Sequence, residues 1–329
     1  MRPIKIAYNP GSLLSTRELL LFAKLVDMTE NVDSIWIPES WGREAFSSLG
    51  ALSQITSRVK LGTSITSIYT RSPATTAMAA MTLDLLSNDR LILGLGVSTP
   101  TLVENWHGVE FDEPLPRIRE YVECFRQIMK GEKVNFSGRY FSVKDFKLLY
   151  PPSRRRIPVF IAAVNKNMLS LACDIADGVL LYLRPIEELK KTIPHIKSKT
   201  NQRNFEVGCV IIAAISNTDS QLARDRAAKT LAFYIAVGRF YSKFIAENGF
   251  QHEVRQICSE YARGGLEAAS ECVSENMLNA MTICGTGEEC VKSLDKFIAA
   301  GISLPIIQVN PVGDTLASIN EMVETFCKE

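Results

Sequence analysis

Short apolar runs recur along the chain and are separated by longer segments with amphipathic, helix-like spacing. The later runs are nearly continuous in apolar residues, which is typical of parallel strands buried on both faces. The pattern predicts eight strands, at residues 4–9, 34–40, 59–68, 91–98, 157–164, 178–183, 207–216 and 304–312. Residues between successive strands are predicted to form helices.

Local signals predict where several helices begin. Ser15 and Glu18 have capping-box spacing, as do Thr286 and Glu289. Ser72 followed by Pro73 gives a helix cap and a proline at the first helical position. These starts fall between predicted strands and support the strand-helix alternation.

Eight strands alternating with helices predict an α/β fold of the (β/α)8 TIM-barrel class, because an open doubly wound sheet usually has five or six strands. Two segments exceed what a simple crossover needs and are interpreted as insertions. The alternating pattern within residues 131–156 predicts a hairpin around Ser137-Gly138. Residues 217–301 are predicted to be helical. We expect a single domain over residues 1–329.

Composition narrows the functional classes. With 37 basic and 36 acidic residues, the net charge of +1 favours neither nucleic acid nor anionic membranes as partners. No apolar run approaches the roughly 20 residues of a membrane span, and the first residues lead into a strand, so we expect a cytoplasmic protein. The eight cysteines form no C-x-x-C pair and the three histidines are far apart, so no metal site is predicted.

The stretch Gly94-Leu95-Gly96 has the glycine spacing of a phosphate-binding turn, but a Rossmann fingerprint needs a third glycine where Thr99 stands. In a barrel, the active site lies at the carboxyl ends of the strands. These glycines are therefore interpreted as a strand end that approaches a ligand closely, with the taper of the barrel as the alternative.

Four stretches together resemble the luciferase-like oxidoreductase superfamily, in its coenzyme F420-dependent branch related to methylenetetrahydromethanopterin reductase. They are WIPESWGREAF, the segment from LGTSITSIYTRS to LILGLGVS, ENWHGVEFDEPLPRIREY and IADGVL. The resemblance implies a bacterial-luciferase-like barrel that binds a flavin or 5-deazaflavin, and a homodimer. It extends over nearly the whole chain.

The resemblance also implies cofactor contacts. A bulge after the third strand, with a non-prolyl cis peptide between Ser64 and Ile65, would support one face of the ring system. The other positions that match cofactor contacts are Thr66, Gly96, Val97, Ser98, Ala163, Val164, Asn165 and Lys166. Independently, Asn165 is a candidate helix cap and Lys166 adds charge where helix N–H groups favour a phosphate, although both could be an ordinary cap and a solvated lysine.

The second strand departs from the pattern of the relatives. Where they have an Asp-His-like pair, this chain has Glu39 and Ser40, and a serine hydroxyl is too weak an acid to replace imidazole. Glu39 is the catalytic candidate, provided that apolar neighbours raise the pKa of its carboxyl group. The alternative is a structural role, in which its carboxylate ties the second strand to a neighbouring loop. The predicted substrate pocket consists of Ser40, Trp41, Tyr182 and Arg184.

The sequence thus predicts a two-electron oxidoreductase that transfers hydride between coenzyme F420 and a small organic substrate. Two alternatives are an FMN-dependent monooxygenase on the same scaffold and a cofactor-binding barrel without turnover.

Overall fold

The structure, a computed structural model, describes residues 5–200 and 204–327. Its strands are β1 (Ile6–Asn9), β2 (Val32–Ile37), β3 (Lys60–Thr63), β4 (Thr66–Ser67), β5 (Leu91–Gly96), β6 (Val134–Ser137), β7 (Ser142–Phe146), β8 (Val159–Ala162), β9 (Gly178–Tyr182), β10 (Glu206–Ile215), β11 (Thr282–Gly285) and β12 (Leu304–Val309).

Helices follow most strands, as the alternating pattern predicts. They are α1 (Thr16–Asp27), α2 (Ala45–Ser53), α3 (Pro73–Leu86), α4 (Pro100–Asn105), α5 (Pro114–Ile128), α6 (Lys166–Ile175), α7 (Ile186–Lys199), α8 (Ser220–Val237), α9 (Arg239–Ile245), α10 (Gln251–Glu271), α11 (Glu275–Met281), α12 (Gly287–Ala299) and α13 (Thr315–Cys327), with a π-helical turn at Ala246–Phe250. Both predicted capping boxes are present, and Ser72 caps α3 through the backbone N–H of Thr75.

The chain forms two compact units. The central unit comprises residues 34–180, and the terminal unit comprises the chain up to Asp33 and from Leu181 onward. In the central unit the strand order is β2, β3, β5, β8 and β9, all parallel, and β4 also pairs with β5. In the terminal unit, β10 pairs in parallel with both β11 and β12, and β12 pairs in parallel with β1.

All eight predicted strands are present, and with their intervening helices they confirm the predicted (β/α)8 TIM-barrel fold class. The predicted bulge at residues 64–65 divides the third strand into β3 and β4. One detail differs from the prediction: the segment 217–301, predicted to be helical, contains the short strand β11. β11 was missed because its four residues directly follow a helix and have no alternating pattern of their own. The expectation of a single domain over residues 1–329 stays a prediction.

The predicted hairpin is confirmed: β6 and β7 are antiparallel, with a register shift between Val134 and Phe136. Glu120 of α5 holds its turn, because the carboxylate accepts hydrogen bonds from three consecutive backbone N–H groups at 2.7–2.9 Å, those of Arg139, Tyr140 and Phe141. A Cβ at Gly138 would overlap this carboxylate, so a larger residue there would displace the carboxylate from these hydrogen bonds.

Strand interiors form the core of each unit, and nearly every strand residue outside the hairpin is buried. Across residues 5–200 and 204–327, no helix is both long and apolar enough to cross a bilayer.

Candidate functional site

The end of the third strand has the geometry that the sequence predicts. The peptide bond between Ser64 and Ile65 is cis, which confirms that prediction. The backbone N–H of Ser64 donates to the Ile37 carbonyl at 2.8 Å, and Thr66 then pairs with Leu95 of β5. The bulge is therefore held between β2 and β5.

Gly94 lets β3 and β5 approach closely. A Cβ at this position would overlap the carbonyl oxygen of Thr63. The Thr63 hydroxyl donates to the Gly94 carbonyl at 2.7 Å and accepts from the Gly94 N–H at 2.8 Å. Gly94 therefore allows the two strands to lie in close contact. It is not needed for a special backbone conformation, because its φ is not positive.

Gly96 makes room for the bulge. A Cβ there would lie 2.8 Å from Cγ1 and Cδ1 of Ile65 and 3.4 Å from Cβ of Ala162. The bulge, the end of β5 and the end of β8 thus meet at one edge of the central unit. We call Ser64, Ile65, Thr66 and Gly96 the bulge cluster.

The edge beside the bulge cluster is suited to a planar ring. The strands are buried, whereas Ser64, Ile65, Val97, Ser98 and Val164 are only half-buried and mostly small. Thr66 is fully buried behind this surface. A small, partly exposed surface at the ends of parallel strands fits a ligand that lies flat against it.

The loop after β8 leads directly into α6. Asn165 is its cap, because its side-chain oxygen accepts from the Met168 N–H at 2.9 Å, as the sequence predicts. The Ala163 N–H donates to the Leu180 carbonyl at 3.1 Å and fixes the start of the loop. Asn165 and Lys166 are exposed. The first turn of a helix has N–H groups without partners inside the helix, so an anion is favoured here.

Glu39 lies in an ion-pair network. Arg71 donates to both Glu39 oxygens at 2.5 Å and 2.9 Å and to Glu44 at 2.5 Å, while the Ala45 N–H donates to Glu39 at 3.0 Å. Burial lowers the pKa of Arg71, but hydrogen bonding and the charges of the two glutamates outweigh it and raise that pKa overall. The network joins the loop after β2 to the start of α2.

Trp41, a predicted pocket residue, projects from the loop after β2. Its side chain is 57% exposed and meets Trp106, which is 52% exposed, edge to face with ring centroids 5.7 Å apart. Trp36 of β2 is buried; its ring packs against Phe160, and its indole N–H donates to Ser34 at 2.9 Å. Ser40 is half-buried in the same loop as Trp41.

Tyr182 and Arg184 belong to the terminal unit. Tyr182 packs edge to face against Tyr234 and Tyr241, with ring centroids 5.1 Å and 5.6 Å away, and burial raises its pKa. Arg184 is 3% exposed and donates to Glu188 at 3.0 Å, with its guanidinium 4.2 Å from the centroid of an aromatic ring, that of Phe244. Burial lowers the pKa of Arg184 despite that glutamate.

Sequence reasoning missed two features of the central unit. It did not pair Arg71 with Glu39, and it did not identify Trp106 as the partner of Trp41. No spacing rule relates residues 32 or 65 positions apart. The usable signal was that Glu39 and Trp41 lie at the end of one predicted strand, whereas Arg71 and Trp106 lie in the segments after the next two predicted strands.

Known proteins share both the sequence pattern and the fold. The chain is 29% identical over 311 residues to a Mycobacterium tuberculosis protein provisionally named a coenzyme F420-dependent oxidoreductase, covering 87% of this chain and 89% of that one. It is 28% identical over 304 residues to the 5,10-methylenetetrahydromethanopterin reductase of Archaeoglobus fulgidus, covering 90% of each. The solved structure of the coenzyme F420-dependent tetrahydromethanopterin reductase from Methanopyrus kandleri matches 98% of both chains with a TM-score of 0.86 at 22% identity.

The family pattern described as luciferase-like monooxygenase matches residues 15–304, which is most of the chain. The match includes the bulge cluster, the loop before α6 and the Glu39 network. The protein therefore belongs to the luciferase-like monooxygenase family.

Proposed function

We propose that this protein is a coenzyme F420-dependent oxidoreductase acting on a small organic substrate. The observation that carries the proposal is the edge of the central unit where Gly96 leaves room for Ile65 and several half-buried residues lie together. The names of the relatives support coenzyme F420 over FMN. The chemistry that the bound deazaflavin supplies is hydride transfer.

The bulge cluster would support one face of the ring system. Ser64 and Ile65 would face the ring, and the lack of a side chain at Gly96 leaves room for Ile65. Thr66, which is fully buried, would act from beneath the bulge, where its pairing with Leu95 of β5 holds the chain. Val97 and Ser98 extend this edge beyond β5.

The loop from Ala163 to Lys166 would hold the phosphate of the cofactor. Ala163 and Val164 bring the chain to the edge, and Asn165 orders the first turn of α6. The N–H groups of that turn and the ammonium of Lys166 both favour negative charge.

Glu39 is the candidate for moving a proton, but its contacts favour a positioning role. Both of its oxygens accept hydrogen bonds from the guanidinium of Arg71, and a carboxylate in this state is an acceptor rather than a proton donor. We infer that the network fixes the loop bearing Ser40 and Trp41, which form one wall of the substrate pocket. Tyr182 and Arg184 stay predicted pocket residues; within the terminal unit, Arg184 is held in place by Glu188.

Cofactor identity is tested by purifying the protein from a host that makes both coenzyme F420 and FMN. We expect the bound chromophore to have the absorption spectrum of the deazaflavin, and the apoprotein to bind added coenzyme F420 more tightly than FMN. Bound FMN together with oxygen-dependent turnover would instead favour a monooxygenase, and binding without oxidation or reduction of any acceptor would favour a non-catalytic barrel.

Phosphate binding by the loop is tested with the double variant Asn165→Ala/Lys166→Ala. Loss of a charge-assisted contact predicts cofactor affinity lower by about tenfold or more. Lys191→Ala, at another exposed lysine, is the matched control and should bind normally. Equal affinity of the double variant and the control would remove the loop from the cofactor site.

The cytoplasmic location stays a prediction. We also propose that the protein forms a homodimer through α2 and α3. Met78, Leu85 and Leu86 of α3 are 44–48% exposed, and the exposed faces of both helices lack charged residues. An uncharged, partly apolar surface of this kind is typical of contacts between proteins. Leu85→Glu should yield monomers in light scattering, whereas Leu316→Glu, at another exposed leucine, should not; a dimeric Leu85→Glu variant would exclude this face.

A further inference from the structure

Two exposed tryptophans of the central unit lie in contact with each other. Of the three tryptophans in the chain, Trp36 is buried, whereas Trp41 and Trp106 are more than half exposed. The rings of Trp41 and Trp106 meet edge to face, with centroids 5.7 Å apart. We call these two residues the tryptophan pair. Single exposed apolar residues are common on proteins, but large rings in contact form an apolar patch of the kind found at binding sites.

The tryptophan pair connects two loops that leave the sheet on either side of the bulge cluster. Trp41 lies in the loop after β2, and Trp106 is the first residue after α4, the short helix that follows β5. The bulge begins beside the end of β2, where the Ser64 N–H donates to the Ile37 carbonyl at 2.8 Å, and it ends where β4 pairs with β5. The pair therefore belongs to the carboxyl ends of the strands, where barrel enzymes bind their ligands.

Both tryptophans are carried by backbone that is held in place. Trp41 is two residues from Glu39, whose carboxylate accepts two hydrogen bonds from Arg71. The backbone N–H of Trp106 donates to the Leu102 carbonyl at 3.2 Å and ends α4. A side chain on ordered backbone loses less conformational freedom when a ligand binds, so the pair is suited to recognition.

The angle between the rings indicates which ligand would fit. The planes are 89° apart, so the two indole faces form a right-angled corner. A flat ring that stacks on one indole in this corner points its edge at the face of the other, and both arrangements are favourable between aromatic rings. A saturated body of the same size would bury apolar surface there but would gain neither contact.

An ammonium ion is the competing ligand, because indole faces also attract cations. The two carboxylates of the loop that carries Trp41 are those of Glu39 and Glu44, and both are paired with Arg71. Glu104, near the other ring in sequence, accepts a hydrogen bond from the Phe111 N–H at 3.3 Å. The surroundings of the pair therefore favour a neutral ring over a cation.

We propose that the tryptophan pair binds the substrate through a flat conjugated ring, and that Trp106 is a specificity-determining residue beside Trp41. This inference rests on the proposed function, because it takes the bulge cluster as the cofactor site. It narrows the substrate from any small organic molecule to one that contains an aromatic or conjugated ring.

NMR of the full-length protein, labelled with ¹⁵N at its tryptophans and mixed with coenzyme F420, tests the proposal. The probes are naphthol, which is flat, and decahydronaphthol, which has the same carbon skeleton but is saturated and puckered. We expect naphthol to shift the indole N–H signals of the tryptophan pair and to leave the signal of buried Trp36 unchanged. The dissociation constant of naphthol should be lower than that of decahydronaphthol by about threefold or more.

Variants of Trp106 separate a flat ring from apolar bulk, with binding followed at the Trp41 signal. Trp106→Phe keeps a flat ring and should keep the preference for naphthol. Trp106→Leu keeps apolar bulk without a ring and should abolish the preference. Tyr150→Ala, at another exposed aromatic residue of the central unit, is the matched control and should bind both probes as the wild type does. An unchanged Trp36 signal shows that each variant is folded.

The absorption of the deazaflavin reports cofactor binding separately. A wild type that binds coenzyme F420 but shows no naphthol-induced shift in the tryptophan pair overturns this proposal and leaves the proposed function standing. The proposal is also overturned if Trp106→Leu keeps the wild-type preference, or if tetramethylammonium shifts the signals of the pair and naphthol does not. A wild type that binds no coenzyme F420 overturns the proposed function and this inference with it.

Discussion

Replacement of Glu39 by glutamine separates its two candidate roles. Arg71 donates to the two Glu39 oxygens at 2.5 Å and 2.9 Å. The side chain of Glu39 is 16% exposed, and that of Arg71 is 18% exposed. Hydrogen bonds to charged groups contribute about 1.5–3 kcal/mol, and loss of one partner of a fully buried pair costs about 3–5 kcal/mol. Because Arg71 keeps Glu44 and some solvent, we expect a coupling energy of about 2 kcal/mol.

The measurement is a double-mutant cycle in urea with Glu39→Gln, Arg71→Gln and the double variant. Glu44→Gln is the matched control, because Glu44 also contacts Arg71 but is 42% exposed, and its loss should cost about 1 kcal/mol or less. A coupling below about 0.5 kcal/mol would refute the positioning argument.

Kinetics distinguish the roles further. A positioning residue predicts that Glu39→Gln loses stability while kcat, measured well below the melting temperature, falls by less than about tenfold. A proton-transfer residue predicts a loss of about 100-fold to 10,000-fold in kcat with a changed pH profile. The second outcome would restore Glu39 as the catalytic acid.

Three further changes test the scaffold around the site. Gly94→Ala places a methyl group against a carbonyl of the neighbouring strand and should lower the free energy of unfolding by about 1–3 kcal/mol in urea, whereas Gly50→Ala, with open space in a helix, should raise it by about 0.5–1 kcal/mol. Arg154→Met leaves the carboxylate of Asp84, 2% exposed, without its guanidinium and should destabilise the protein by about 3–5 kcal/mol; an unchanged urea midpoint would contradict this. Burial raises the pKa of the Cys209 thiol to about 12, so at pH 8 iodoacetamide should label it only after unfolding; rapid labelling of the folded protein would show that the thiol is accessible.

Local features of the sequence predicted much of the fold. Ser15 with Glu18 and Ser72 with Pro73 identified helix starts, because capping depends on residues within one turn of each other. Buried parallel strands were recognisable because both of their faces are apolar. The strand β11 was not recognisable, because its four residues are too few to form a pattern and its pairing depends on β10.

The candidate site was predictable only in part. The cis peptide at Ser64 followed from family resemblance, and the cap at Asn165 from residue type. The roles of Gly94 and Gly96 required the neighbouring strand and the Ile65 side chain, respectively.

The turn of the β6–β7 hairpin has a consequence for engineering by segment exchange. Its backbone is secured by a single carboxylate from another element, Glu120, and the closeness of that carboxylate requires Gly138. A chimera that imports a hairpin from a homologue should therefore inherit both positions together, since a foreign turn without the glycine would collide with the α5 anchor. Glu120 and Gly138 should therefore stay together when segments of homologous proteins are recombined.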